Sequence, residues 1–317
     1  MAKKFPTRPY IRKLGTIGCN NIVETTPLVW KDELYRFEVV RRKSFTSATT
    51  NPHWSELDDS PCLRFVHVRS NIATPLFAED HTFGFPYVVG DTMYVVTGVG
   101  RKWGAEKLDF LRSKDLIHWE KYSEVHLPGW EIYNINIAEK NGVYTLLIEI
   151  SAPAEEAGHP YTFRFLRSTD MTNWVLTPSE CVFQKDRYSG SPSIYTFPDD
   201  PYYYVGYLEA YPDHRYAQSI ARSTDLIHWE YSPLNPVLMY NDFEDKQIAS
   251  AFLSPADRMR IEEALDVNNS DMEMCEYLGR TLIYYSWGDQ RGTEFLAEAW
   301  YEGPMHELLR SFFEPKE

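Results

Sequence analysis

FLRSKDLIHWE at Phe110–Glu120, FLRSTDMTNWV at Phe165–Val175 and IARSTDLIHWE at Ile220–Glu230 are three copies of one local pattern. Their tryptophans, Trp119, Trp174 and Trp229, lie 55 residues apart each time. A fixed period with a fixed local pattern marks a structural unit used repeatedly. Each copy opens as a short strand of alternating character. Ser and Asp then start a turn, because their side-chain oxygens accept backbone N–H groups. Leu or Met and the Trp return to a buried face, and an outer strand begins. Asp115, Asp170 and Asp225 are therefore read as turn formers.

A second element recurs five times, at Thr26–Val40, Phe85–Gly98, Ile135–Ile150, Ser191–Glu209 and Met272–Trp287. Each is an apolar strand, a polar turn and a strand rich in Tyr and β-branched residues, which is a hairpin signal. Hairpin plus rim hairpin makes a four-stranded sheet, and sheets of that kind arranged radially make a propeller. The expected fold is all-β, a five-bladed β-propeller forming one domain over 1–317. Its units run Ile22–Thr74, His81–Glu124, Ile132–Thr177, Ser189–Pro233 and Ser270–Ala299. A short helix is expected before the last unit, capped by Ser254 with Pro255 at its first position and Asp257 three residues after the cap. A second is expected at the end, in MHELLRSFF. A β-sandwich with extra hairpins does not account for the regular spacing.

Composition narrows the function classes. The formal charge is −14, which repels phosphate backbones and argues against a nucleic-acid partner. No apolar run spans a bilayer and no apolar segment follows the basic start, so no membrane role and a cytoplasmic location are expected. The cysteines Cys19, Cys62, Cys181 and Cys275 are scattered without CxxC spacing, so no zinc site is expected. They are read as buried thiols in a reducing compartment. Aromatic residues make up 15% of the chain, which suits a sheet core and also a surface that covers sugar rings. Trp54, Trp103, Trp130 and Trp287 are candidates for sugar platforms, with blade packing the preferred reading for each. No nucleotide loop or nucleophile elbow is present, and no cofactor is expected.

The S-x-D-L-x-x-W hairpins in a five-unit chain resemble the five-bladed propellers of glycoside hydrolase families 43, 32, 68, 117 and 130. The resemblance runs from about Ile22 to Ala299. It implies carbohydrate as substrate or ligand. It also implies an Asp base on the first blade, an Asp on the third and a Glu acid on the fourth. At those places this sequence has Glu24 in VETTPLV, Asn134 or Asn136 in YNINIAE, and Gly190 with Ser191 in YSGSPSIY. The usual set of acids is altered.

Residues at the start of innermost strands converge on one mouth of a propeller's channel. By that rule the pocket residues are Glu24, Asp80, His81, Asn134, Asn136, Arg187, Ser189, Ser191, Asp271 and Glu273. Asp289 and Gln290 in SWGDQRGTEF add groups able to grip sugar hydroxyls. Glu149 and Glu209 each follow a tyrosine by five residues inside an apolar strand. A carboxyl buried there is either paired with an arginine such as Arg164 or Arg215, or raised toward an acid's range.

The expected activity is glycoside hydrolysis of an oligosaccharide or glycoconjugate by an inverting, two-carboxylate mechanism. Asp271 is expected as acid, raised by its neighbour Glu273, Glu24 as base, and Glu209 as a further catalytic candidate. The alternative is a non-catalytic sugar-binding propeller that has lost its acids. A phosphorylase or lyase would rest on Arg187 and Arg291.

Overall fold

A computed structural model describes residues 5–19, 24–41, 60–101 and 104–315. Trp54, Trp103 and Ile22 lie outside them. Blade I comprises Thr26–Trp30, Glu33–Arg41, Pro61–His67 and Ile72–Ala73. Blade II comprises His81–Val89, Thr92–Val99, Lys107–Ser113 and Glu120–His126. Blade III comprises Glu131–Lys140, Val143–Ala152, Thr162–Ser168 and Val175–Leu176, and blade IV Ser193–Tyr195, Tyr203–Tyr211, Arg215–Ser223 and Glu230–Tyr231. Within each blade, sequence neighbours pair antiparallel, as hairpins require. The innermost strands touch in the cycle I–II–III–IV–V–I, so the ring is closed.

Blade V draws three strands from Asn268–Tyr277, Arg280–Gly288 and Glu294–Tyr301. Its fourth is Arg12–Gly18, from the other end of the chain, paired antiparallel from Arg12 opposite Trp300 to Gly18 opposite Leu296. The repeat pattern does not reach this strand, and the unit Ser270–Ala299 lacks it. A buried clasp holds it. Lys13 Nζ lies 2.8 Å from Asp245 Oδ1 and 2.6 Å from Asn269 Oδ1. Tyr285 donates to the same Asp245 oxygen at 2.7 Å, and Trp287 Nε1 donates to Thr16 Oγ1 at 2.8 Å. Gly15 is obligatory in this strand. Its φ is +107°, and a Cβ there would meet the Gln247 carbonyl oxygen at 2.3 Å.

The 55-residue repeat is a wedge between blades. Trp119 stacks on Phe65 of blade I (centroids 5.8 Å apart), Trp174 on Phe110 of blade II (5.3 Å) and Trp229 on Phe165 of blade III (6.1 Å). Each phenylalanine sits on the third strand of the preceding blade. Trp130 and Trp287 are buried packing residues. Helices Pro255–Glu263, with the full Ser254/Asp257 capping box, and Met305–Ser311 stand where the sequence places them. Two short ones, Ala154–Ala157 and Asp242–Asp245, do not show in the pattern.

The turn aspartates do what their spacing implies. Asp225 Oδ1 accepts from Ile227 N at 2.9 Å and His228 N at 2.8 Å, and Asp115 and Asp170 repeat the arrangement. Hydrogen bonding from His228, both side chain and backbone, holds the Asp225 carboxyl below its usual range. A depressed acid stabilises the fold above the ordinary carboxylate range and stops doing so as pH falls through its folded value. Asp225→Ala should lower the melting temperature at pH 7, and the difference from wild type should vanish in strong acid. A difference that persists there would assign the loss to something other than the carboxylate.

Candidate active site

Three blades break their ladders at the same end of the innermost strand. In blade II the extra residue is Phe83, in blade III Tyr133 and Asn134, and in blade V Asp271 and Met272. In blade IV Ser191 and Pro192 precede the strand. Bulges re-aim side chains, and Asn134 and Asp271 at these breaks line one cavity. The backbone is left-handed at Glu24 (φ +55°), Phe83 (+46°), Ser191 (+50°) and Asp271 (+51°). Non-glycine residues hold that conformation at a cost of about 1–3 kcal/mol, and such strain clusters at functional sites.

Glu24, Asn134, Ser191, Asp271 and Glu273 line one cavity with Thr26, Gly84, Ile135 and Pro192. Its volume is about 20 Å³, room for one water. Five expected residues are thus brought together from blades I, III, IV and V. Asn136 joins them from behind, its Nδ2 donating to both Glu273 oxygens at 3.0 and 3.2 Å. Gln290 joins through Ser270, whose Oγ lies 3.4 Å from Gln290 Nε2 and donates to Asp271 Oδ2 at 2.7 Å.

The other expected residues are engaged elsewhere. Asp80 pairs with Arg101 at 2.6 Å on the surface. His81 turns Nε2 to Asp109 Oδ2, 3.3 Å away on the third strand, and so points along its blade and not into the cavity. Arg187 is exposed beside Asp186. Ser189 is buried, and its hydroxyl meets the Arg187 carbonyl at 3.4 Å. Asp289 caps its own turn, accepting from Arg291 N and Thr293 N.

Glu209 accepts from Ser219 Oγ at 2.6 Å and Tyr211 Oη at 3.2 Å. It is not the counterpart of Glu149. Counted from the repeat serines, Ser168 opposes Tyr144 and Phe163 opposes Glu149, whereas Ser223 opposes Tyr203 and Gln218 opposes Leu208. The matching residue on blade IV is Leu208. A slip of one residue along a strand turns the side chain to the opposite face.

Acids that the sequence reading left apart influence the two carboxyls of this cavity, Glu24 and Asp271. Burial, then the charge of Asp271, pushes Glu294 up to about 8. Glu294 opens the third strand of blade V in a plain GTEFLAEAW stretch, and nothing in the sequence marks it. Glu149, 3% exposed, also stands at about 8, chiefly through burial. Neither proposed arginine pairs with it: Arg164 binds Glu156 and Arg215 binds Tyr240. Glu24 is driven well above the usual range by burial and then by Asp271, Glu149 and Glu294. Burial raises Asp271 less decisively, because Ser270 donates to it and the Ser191 and Ser286 hydroxyls favour its charge. Ser286 Oγ lies close without forming a hydrogen bond. Glu273 is not what raises Asp271. The charge of Asp271, after burial, helps push Glu273 to about 8.

A stability consequence follows from these directions. An acid raised on folding stabilises the fold fully below its unfolded value and ceases to do so as pH rises through the folded one. For Glu149, Glu273 and Glu294 that window runs from 4.5 to about 8. The melting temperature should fall across it, and calorimetry showing a flat profile would contradict the burial of these groups.

No family model matches the chain, and no curated protein matches it in sequence. Solved structures do match in fold. An α-L-arabinofuranosidase from Podospora anserina, in complex with cellotriose, is 7% identical with a TM-score of 0.62, over 95% of this chain and 99% of that one. The catalytic domain of a GH62 α-L-arabinofuranosidase from Coprinopsis cinerea is 8% identical with a TM-score of 0.58, over 93% and 97%. A xylan β-1,4-xylosidase from Bacillus halodurans is 12% identical with a TM-score of 0.53, over 93% of this chain and 53% of its own length. Among the described residues no group of three or more His, Cys, Asp or Glu is arranged to hold a metal, and no helix is long and apolar enough to cross a membrane. The chain has the five-bladed β-propeller fold found in the glycoside hydrolases of the GH62 and GH43 groups.

Proposed function

We propose that the chain is a glycoside hydrolase with Asp271 as general base and Glu24 as general acid. The supporting observation is their unequal treatment around one cavity, both being raised by burial but Asp271 less so than Glu24. Ser270 donates to Asp271 and favours its ionised form, whereas burial and three neighbouring carboxyls favour a proton on Glu24. Two carboxyls pushed apart in this way define an acid and a base. This reverses the assignment expected from the sequence, because the hydroxyls around Asp271 outweigh any effect of Glu273. The cavity they line has room for one water. A water between base and sugar is what an inverting mechanism uses. The base takes a proton from that water as it attacks the anomeric carbon, and Glu24 gives its proton to the departing oxygen.

The test is a screen of nitrophenyl glycosides and natural oligosaccharides, starting with arabinofuranosides and xylosides. Release is followed by chromatography and the first-formed anomer by NMR. Cleavage with inversion supports the reading. Binding without release across the whole panel would make the chain a sugar-binding propeller instead.

A further inference from the structure

We propose that Asn268 is a positioning residue for the base: together with Gln290 it fills the acceptor side of the Ser270 hydroxyl and leaves that group's one proton for Asp271. This rests on the assignment of Asp271 above. Neighbours along a strand point to opposite faces, so Ser270 and Asp271 would ordinarily turn away from each other. The bulge changes that. The ladder is regular up to Ser270 opposite Ser286 and resumes at Glu273 opposite Tyr284. Asp271 lies between, in left-handed backbone, and its Oδ2 comes back to 2.7 Å from Ser270 Oγ. Asn268, two residues before Ser270, shares its face of the strand. Asn268 Nδ2 donates to Ser270 Oγ at 3.0 Å. Gln290 Nε2, from the turn before the third strand of blade V, donates to the same oxygen at 3.4 Å.

A serine hydroxyl has one proton to give and two lone pairs to receive with. The two amides occupy the lone pairs, and the proton is left for the carboxylate. The opposite orientation of the Asn268 amide would set Oδ1 against Ser270 and draw that proton away from Asp271. Asn268 and Ser270 are both 0% exposed, and Asn268 Oδ1 accepts no hydrogen bond from the described residues. A buried acceptor left alone is a cost to the fold, and here it accompanies a donor aimed at the site. The titratable groups whose charges reach Asp271 are Glu24, Glu149, Glu273, Glu294 and Tyr188. All are acids, so any charge among them opposes a charge on Asp271. A hydroxyl held in the donating sense works against that repulsion.

Carbon NMR of protein labelled at the aspartate carboxyl carbons reads this without a substrate, with Asp271→Asn assigning the signal. Ser270→Ala should raise the Asp271 midpoint by about one pH unit, the effect of losing a hydrogen bond to a charged group. Asn268→Leu, which keeps the bulk and removes the donor, should raise it in the same direction. In the Ser270→Ala background the same change should move it no further, because the hydroxyl through which Asn268 acts is gone. Asn268→Ala and Gln290→Ala, the latter on a partly exposed turn, repeat the cycle should Asn268→Leu not fold. With an identified glycoside, the acid limb of kcat/KM should move to higher pH in step. An unmoved midpoint in the folded Asn268 variant, or a shift of equal size with and without the Ser270 hydroxyl, overturns the proposal. If the glycoside screen fails while these shifts appear, the relay stands and the hydrolase reading falls.

Discussion

Asp271→Asn should lower kcat by about 10²–10⁴-fold on the glycoside that the screen identifies, the usual range for loss of a general acid or base. Asparagine keeps the shape and can still meet the Ser270 hydroxyl, but it cannot take a proton from water. The melting temperature should change little or rise, because a raised carboxyl is replaced by a neutral group. Glu24→Gln should cause a comparable loss with a different signature. A substrate with a good leaving group needs little protonation, so nitrophenyl glycosides should suffer less than natural oligosaccharides. On this proposal the alkaline limb of kcat/KM in the wild type should report the proton on Glu24, whose carboxyl burial and its neighbours hold well above the usual range. Activity should therefore persist past neutrality. Wild-type turnover in Asp271→Asn would remove that residue from the reaction.

Lys13→Ala should destabilise the protein by about 3–5 kcal/mol, the cost of removing one partner of a buried ion pair. The Lys13 and Asp245 side chains are 6% and 0% exposed. The loss leaves Asp245 facing Asp266, whose carboxyl burial and Asp245 have already pushed up to about 8. Lys13→Met tests the cause, since it restores the apolar stem but not the charge. Chemical denaturation should place it near Lys13→Ala, and recovery to wild-type stability would show that packing, not charge, holds the strand.

The ring was readable because its repeat is a packing device. A tryptophan that must meet the preceding blade's phenylalanine cannot drift in sequence, and 55 residues is the blade that separates one from the next. The closing strand was not readable. RKLGTIG has weak alternation and a glycine at its centre, and its partner lies more than 280 residues away at the Arg12–Trp300 end. The site was half readable. Glu24, Asp271 and Glu273 read in the sequence as strand entries, and counting blades brings them together. Glu149 was visible as a stray acid in an apolar strand, but a tyrosine is a poor ruler where blade IV has Tyr202, Tyr203 and Tyr204 in succession. The serine of the turn is the true register mark, and it separates Glu149 from Glu209 by one residue and one face. His81 looked like a pocket residue beside Asp80, yet its partner Asp109 is 28 positions away on another strand. The left-handed backbone at Glu24 and Asp271 leaves no trace in composition.

Closure by Arg12–Gly18 also has a consequence during synthesis. This strand is made well before its partner Glu294–Tyr301, with the other four blades between them. Blades I to IV can assemble from local hairpins as they emerge, but the fifth waits for both of its distant segments. Until then Arg12–Gly18 is an unpaired edge, open to pairing with a second nascent chain. Charges at Arg12 and Lys13 and the bend at Gly15 make it a poor template for such pairing. Lys13, which clasps the finished ring, would thus also guard the unfinished one.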